Sequence, residues 1–187
     1  ALHEDVIYMK GDSGDNVAEV AMQYNDSYNE LLLSFANNIN TGEGGTHEDG
    51  FKQALTRVLN AYARKNNLLK DSDKNLSGED CREGLTAIIS VKLREPQFEG
   101  QTKGKLGNTE MRQVVSAIVT DKLTTYFEEN PQVARTIIEK AITASRAAEA
   151  ARKAREATRR KSPLEGVGLP SKLKDCSERN NERTELF

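Results

Sequence analysis

The sequence is poor in the residue types that build disulfide frameworks and metal sites. Its 187 residues include two cysteines, two histidines and no tryptophan. Cys81 and Cys176 lie far apart and outside any CxxC spacing, so we expect reduced thiols instead of a disulfide or a thiolate zinc site. His3 and His47 have no second ligand at helical or ribbon spacing, and the sequence predicts no metal site.

Long hydrophobic runs and catalytic signatures are lacking as well. No apolar run approaches the roughly 20 residues that span a bilayer, and the chain does not start with a signal-peptide pattern. We therefore expect a cytoplasmic protein that does not contact a membrane. Because no GxSxG elbow is present, His47 is interpreted as a residue at a helix start and not as a general base.

The length of the chain fits one domain plus an appendage. Hydrophobic residues make up 36% and charged residues 30%, so the core must be concentrated in part of the chain. Residues 162–187 are rich in Gly, Pro, Lys, Asn and Glu without sustained periodicity. We interpret this segment as a linker or tail and residues 1–161 as the domain.

Residues 5–37 show strand patterns separated by two turns. The turns fall near residues 11–15 and 25–27, so an antiparallel meander of three strands is predicted. A further strand is predicted around residues 85–93, where apolar and polar positions alternate. The apolar positions of the three early strands are Val6–Met9, then Ala18, Val20, Met22 and Tyr24, then Leu31, Leu33 and Phe35. We expect these positions to face the core and the solvent face of the meander to be polar.

Three helices are predicted from apolar residues at helical spacing. Thr46 could cap the first and Asn108 the second, and Pro131 could open a third that continues to about residue 161. The first half of this third helix has apolar residues for a core, whereas the second half is mainly Ala and Arg. The order of elements predicts an α+β sandwich, with helices on one face of a mostly antiparallel sheet.

The segment from Glu99 to Gly107 is a glycine-rich loop that carries two lysines. Such a loop could contact phosphate, but it departs from the P-loop pattern GxxxxGK[ST]. Glu99 replaces the first glycine, and Leu106 replaces the hydroxyl residue that would hold Mg²⁺. Composition alone therefore favours an ordinary mobile surface loop.

The stretch 146–161 carries seven basic residues against two acidic ones. Arg152, Arg155 and Arg159 fall on one helical face, as side chains that follow a phosphate backbone would. No aromatic residue is interleaved, so base stacking and sequence reading are not indicated. The alternative is a solvated helix face or one that pairs with an acidic neighbouring domain.

Several separated motifs, taken together and in order, resemble the transducer in the ATPase region of gyrase B proteins and of their topoisomerase IV counterparts. The resemblance covers essentially the whole chain. The motifs are Asn37–Thr41 (NNINT), Glu43–His47 (EGGTH), Arg82–Leu85 (REGL), Pro96–Lys103 (PQFEGQTK) and Leu169–Leu173 (LPSKL).

This resemblance implies a fold like domain 2 of ribosomal protein S5 and a role in sensing ATP. In the family, the Gln-Thr-Lys loop reaches the nucleotide held by a preceding GHKL-type domain, and its lysine contacts the terminal phosphate. Gln101 and Lys103 inherit these roles, with ATP and Mg²⁺ bound mainly outside this chain. Lys52 and Arg57 are further candidates for DNA contact, beside the three arginines of the basic stretch.

The resemblance also implies partners and further domains. A GHKL domain is expected before Ala1 and a metal-binding Toprim domain after Phe187, so this chain alone should catalyse neither ATP hydrolysis nor DNA cleavage. The full-length protein that contains this chain would bind DNA independently of sequence. It would form an ATP-dependent homodimer through its N-terminal domain and join a DNA-cleaving subunit like gyrase A in an A2B2 assembly. Ser171 and Lys174 depart from the Gly and Ala usual in the family.

Two alternatives remain open at this point. The first is the transducer of the topoisomerase IV counterpart of gyrase B, which resembles that of gyrase closely. The second is a stand-alone basic module that binds nucleic acid through the Arg-rich helix, for which the Gly-Lys loop would be incidental.

Overall fold

A computed structural model describes residues 1–70 and 72–160, without the side chains of residues 159 and 160. The chain divides into two compact units, Ala1–Ala147 and Ala148–Phe187. The predicted boundary after residue 161, the tail 162–187 and Cys176 lie outside the described residues. The division of the chain into a domain 1–161 and a tail therefore stays a prediction.

The described part contains seven strands and four helices. The strands are β1 (Ile7–Ser13), β2 (Asn16–Tyr24), β3 (Leu31–Ala36), β4 (Ile39–Asn40), β5 (Leu85–Lys92), β6 (Phe98–Glu99) and β7 (Lys105–Leu106). The helices are α1 (Thr46–Lys65), α2 (Gly78–Arg82), α3 (Glu110–Glu129) and α4 (Pro131–Arg160).

The main sheet has the strand order β1-β2-β5-β3-β4. Its neighbours are antiparallel except β3 and β5, which run parallel. The predicted three-strand meander is therefore wrong, because β5 lies between β2 and β3. Four buried apolar residues alternate along β5, and a central position in the sheet suits a strand whose inner face is so apolar.

The inner face of this sheet and the helices enclose a single core. Side chains in one row across the sheet, such as Met9, Val20 and Ile89, are buried with apolar residues of α1 and α3. Phe127 of α3 packs edge-on against Tyr62 of α1, with 5.4 Å between ring centroids. The predicted α+β fold, with helices on one face of a mostly antiparallel sheet, is confirmed.

Strand β3 faces the opposite way from the prediction. Its leucines at 31 and 33 are exposed, whereas Ser34 and Ala36 are buried. The register places Ser34 beside Ile89 on the inner side, and the Ser34 hydroxyl has hydrogen-bonding partners there. The apolar alternation of β3 therefore points outward, where Leu33, Ile88 and Tyr8 form part of an exposed row.

Helix α2 was not predicted, although its start carries a capping box. The Ser77 side chain accepts a hydrogen bond from the Asp80 amide, and the Asp80 carboxylate accepts one from the Ser77 amide. This short helix places Cys81 in the core, where burial raises the pKa of the free thiol to about 12. None of the helices described here is long and apolar enough to cross a membrane.

Candidate functional site

The Gly-Lys loop forms the tip of a β-hairpin. Strands β6 and β7 pair antiparallel, and residues 100–104 connect them. Gln101 and Lys103 are exposed at this tip, and no hydrogen bond or ion pair to either side chain is found within residues 1–70 and 72–160. The Lys103 backbone is left-handed, with a φ of 53°, and Gly104 follows it. The tip therefore presents an ammonium group to its surroundings.

The base of the hairpin is firmly attached to the core. Leu106 is fully buried, and the Gly107 amide donates to the Gln97 carbonyl over 2.7 Å. Glu99 and Lys105 form an ion pair across the hairpin at 2.8 Å. The hairpin therefore combines an exposed tip with a base that is anchored in the core by Leu106.

Asn108 joins the hairpin to the starts of α1 and α3. Its side-chain oxygen accepts from the Gln97 amide, and its carbonyl accepts from the Thr46 hydroxyl. The prediction that Thr46 and Asn108 cap these helices is therefore wrong. Their side chains form hydrogen bonds to other segments, and neither one caps the start of a helix. Gly45 is the cap residue of α1 and Thr109 that of α3, and neither helix has a side-chain cap bond.

The loop 41–45 lies directly against this hairpin. The Glu43 amide donates to the Gly104 carbonyl over 2.8 Å, and the Leu106 amide donates to the Gly44 carbonyl over 3.1 Å. Gly45 forms an isolated parallel bridge with Leu106 and has a φ of 141°. A Cβ at Gly45 would lie 2.5 Å from the Leu106 carbonyl oxygen, so only glycine allows this approach.

A chain of polar side chains, which the sequence did not reveal, runs from this loop into α1. The Thr41 hydroxyl lies 3.1 Å from His47 Nε2 and 2.7 Å from Ser34 Oγ. Ser34 Oγ lies 3.2 Å from Glu48 Oε2, and Glu48 Oε1 accepts from Lys52 Nζ over 2.6 Å. The sequence shows only the type and spacing of these residues, because they come from a strand, a loop and a helix.

His47, the second residue of α1, is fully buried and uncharged. Burial lowers the pKa of its imidazole from about 6.5 to about 4, against the opposing effect of Glu48 and Asp49. His47 Nδ1 is the one buried side-chain polar atom of the described residues without a hydrogen-bonding partner. If the proton resides on Nε2, Nδ1 leaves only a lone pair unsatisfied, which is less costly than an unpaired N–H donor.

We expect the neutral His47 to make stability fall as the solution is acidified. The unfolded chain takes up a proton near pH 6.5 and the folded chain only near pH 4, so stability is lost as pH falls through this window. Between pH 7 and pH 5 the loss is about 2 kcal/mol. Urea unfolding at both values measures it, and a His47→Gln variant should lose about 2 kcal/mol less. Equal losses in both proteins would contradict the assignment.

Lys52 and Arg57 lie on α1 and line one open groove. The groove is also lined by Arg64 and Arg82, and no acidic side chain is found among its described lining residues. Lys52 is one-third exposed and paired with Glu48. The Arg57 guanidinium donates to hydroxyls of α3, to Ser116 over 3.0 Å and Thr120 over 2.7 Å. The structure thus brings these two DNA candidates together on one basic surface.

In the second unit, the helical residues from Ala148 to Thr158 are exposed. Arg152 and Arg155 are among them, while the Arg159 side chain lies outside the described residues. Lys153 pairs with Glu149 one turn away at 2.8 Å. Across the described parts of both units, no group of three or more His, Cys, Asp or Glu side chains is placed to hold a metal ion.

Comparison with known proteins identifies the family of this chain. The family model described as DNA gyrase B matches residues 1–157. The chain belongs to the DNA gyrase B family. It is 60% identical to the DNA gyrase B protein of Clostridium acetobutylicum over 187 residues and 55% identical to that of Staphylococcus aureus over 186 residues. These alignments include the whole chain but only 29% of either relative's length.

Solved structures of a gyrase B and of a topoisomerase IV are also similar to this chain. The 43K ATPase domain of Thermus thermophilus gyrase B, crystallised with an aminocoumarin, matches with a TM-score of 0.78 and 44% identity, over 83% of this chain and 42% of that one. The topoisomerase IV ATP binding domain of Francisella tularensis matches with a TM-score of 0.71 and 31% identity, over 78% and 40%. The gyrase B family match includes the hairpin, the loop 41–45 and α1.

Proposed function

We propose that this chain is the transducer of a gyrase B protein, part of an ATP-dependent type II DNA topoisomerase that acts in the cytoplasm. The observation that carries the proposal is the hairpin, which presents an unpartnered Lys103 at its tip, among the described residues, while its base is bonded to the start of α1. Full-length gyrase B would hold ATP and Mg²⁺ in its preceding nucleotide-binding domain. Lys103, assisted by Gln101, would contact the terminal phosphate of that ATP.

A lysine ammonium on a flexible side chain is suited to detecting the terminal phosphate, which is present after ATP binds and absent after that phosphate is released. A lysine is a compact positive charge, and it loses its partner when the terminal phosphate leaves. The contact exists in one nucleotide state only, so it can bias two arrangements of the domains. Substituting Lys103 in full-length gyrase B tests this role through the loss of ATP turnover.

The other proposed partners are DNA and a DNA-cleaving subunit of the gyrase A type. Lys52 and Arg57 on the basic groove, and Arg152, Arg155 and Arg159 in the second unit, would contact the phosphates of a passing DNA segment. Such contacts are independent of sequence and weaken strongly with salt. Full-length gyrase B would form the assembly of two gyrase A and two gyrase B chains. Its dimer contact would depend on ATP.

Neutralising three arginines in the second half of α4 should lower the salt dependence of DNA binding. In full-length gyrase B, changing Arg152, Arg155 and Arg159 together to alanine removes up to three phosphate contacts. The slope of log K against log salt should fall by about 2.7, since each contact contributes about 0.9. Fluorescence titration with a duplex of arbitrary sequence at several salt concentrations measures it.

Arg135→Ala is the matched control, because this guanidinium lies on the same helix and is paired with Glu139 at 2.8 Å. It should leave the slope within about 1 of the wild type, the contribution of one contact. An unchanged slope in the triple variant would show that these arginines do not touch DNA. Tight binding by the separate 187-residue chain at physiological salt would favour the stand-alone basic module instead.

A further inference from the structure

We propose that Glu48 is a positioning residue that couples the Lys103 hairpin to Lys52 on the basic groove. The proposal deepens the function proposed above and depends on it, because it assumes that Lys103 contacts nucleotide and Lys52 contacts DNA. Its basis is the placement of one carboxylate between the two. All of the groups involved lie within the first unit of the chain.

The two oxygens of Glu48 have separate partners. Oε1 holds the Lys52 ammonium at 2.6 Å, one helical turn further along α1. Oε2 accepts from Ser34 Oγ on β3 at 3.2 Å. The Glu48 side chain also lies close beside the loop, since a Cβ added at Gly44 would be only 2.9 Å from Oε2. A displacement of the loop therefore moves the carboxylate that holds Lys52.

The hydrogen bonds behind Glu48 can be assigned one direction. The single proton of the Ser34 hydroxyl has two acceptors within reach, the Thr41 carbonyl at 3.1 Å and Glu48 Oε2 at 3.2 Å. A charged acceptor makes the stronger bond, so we assign this proton to Glu48, and Ser34 then accepts from the Thr41 hydroxyl. Thr41 in turn accepts from His47 Nε2–H, which leaves Nδ1 as the bare nitrogen observed without a partner. With this assignment the side-chain donors from His47 to Ser34 point toward Glu48, and hydrogen bonds aligned in one direction reinforce one another.

The chain is joined to the hairpin through the loop 41–45. The Gly44 amide donates to the Thr41 carbonyl, and the Glu43 amide donates to the Gly104 carbonyl, each over 2.8 Å. Gly104 directly follows Lys103. When the tip moves toward a phosphate, these bonds transmit the displacement to Thr41 and Gly44, and through them to Glu48. Lys52 is then held by Glu48 in one hairpin position and released toward DNA in the other.

The decisive measurement is the ratio of DNA-stimulated to basal ATP turnover in full-length gyrase B, assembled with its DNA-cleaving partner. Glu48→Gln keeps the shape of the side chain but removes the charge that holds Lys52. Because coupling between two sites is reciprocal for binding, the variant should also lose the effect of a non-hydrolysable ATP analogue on DNA affinity. We expect the ratio of DNA-stimulated to basal turnover to fall by at least about 3-fold, and the ratio of DNA affinities with and without the analogue to fall by at least as much.

Two further variants separate coupling from folding. Ser34→Ala removes the hydrogen bond between Ser34 and Glu48 but leaves the ion pair between Glu48 and Lys52. This variant should lower the same two ratios. In a Lys52→Gln background, Glu48→Gln should have no additional effect, as expected for residues that act in one path. Glu139→Gln is the matched control, because it removes the carboxylate of another ion pair spaced four residues apart, at 2.8 Å.

The coupling proposal is overturned if Glu48→Gln leaves both ratios at their wild-type values. It is also overturned if basal and stimulated turnover fall by the same factor, since that is the result of a purely structural role. Failure of the sensor itself is recognised separately. In that case Lys103→Ala leaves ATP turnover unchanged, whatever Glu48→Gln does.

Discussion

Replacing Lys103 with alanine in full-length gyrase B is expected to lower ATP turnover about 100-fold, the usual cost of removing one group that stabilises developing charge. The side chain has no partner in the described residues, so its removal breaks no bond among them. The loss should fall mainly on kcat, because the proposed contact strengthens as charge builds on the phosphate. Steady-state ATP hydrolysis measures both kinetic constants.

Lys105→Ala is the control for this experiment. Lys105 lies in the same hairpin two residues further on, but it is paired with Glu99, and both side chains are about half exposed. An exposed ion pair contributes about 1 kcal/mol or less, so turnover should change less than about 5-fold. Should Lys103→Ala retain wild-type turnover, or Lys105→Ala fall as far, the hairpin tip would not be the phosphate sensor.

The sequence predicted those elements whose signals are local. Strand β2 shows the expected alternation, and α3 and α4 begin close to the predicted positions. The order of strands depends on pairing between distant residues, which periodicity does not contain. For this reason, the insertion of β5 between β2 and β3 and the reversed faces of β3 were missed.

The candidate site was predicted only in part for a related reason. Composition marked the Gly-Lys loop, and family resemblance singled out Lys103 within it. The two-residue strands that make it a hairpin are too short to produce a sequence pattern. The link through Ser34, Thr41 and Glu48 was invisible because its residues come from β3, a loop and α1. A polar residue within an apolar strand, such as Ser34, was the available signal.

The close contact between α1 and α3 gives the second large effect, on stability. A Cβ at Gly50 would lie 2.4 Å from the Arg112 carbonyl oxygen and 3.0 Å from its Cα. Because these are backbone atoms of a helix, they cannot rotate away as a side chain would. Gly50→Val must therefore push the two helices apart, which loosens the packing of buried residues on both helices, such as Phe51 on α1 and Met111 on α3.

We expect Gly50→Val to lower the free energy of unfolding by about 3 kcal/mol, at the upper end of the usual cost of overpacking. Urea denaturation of this chain measures it. Gly42→Val is the matched control, since its Cβ would meet only the Asn40 side chain at 3.9 Å. The control should stay within about 0.5 kcal/mol of the wild type. If both variants were equally stable, the helices could not be as close as the structure places them, and α1 would be a less rigid support for the loop and for Glu48.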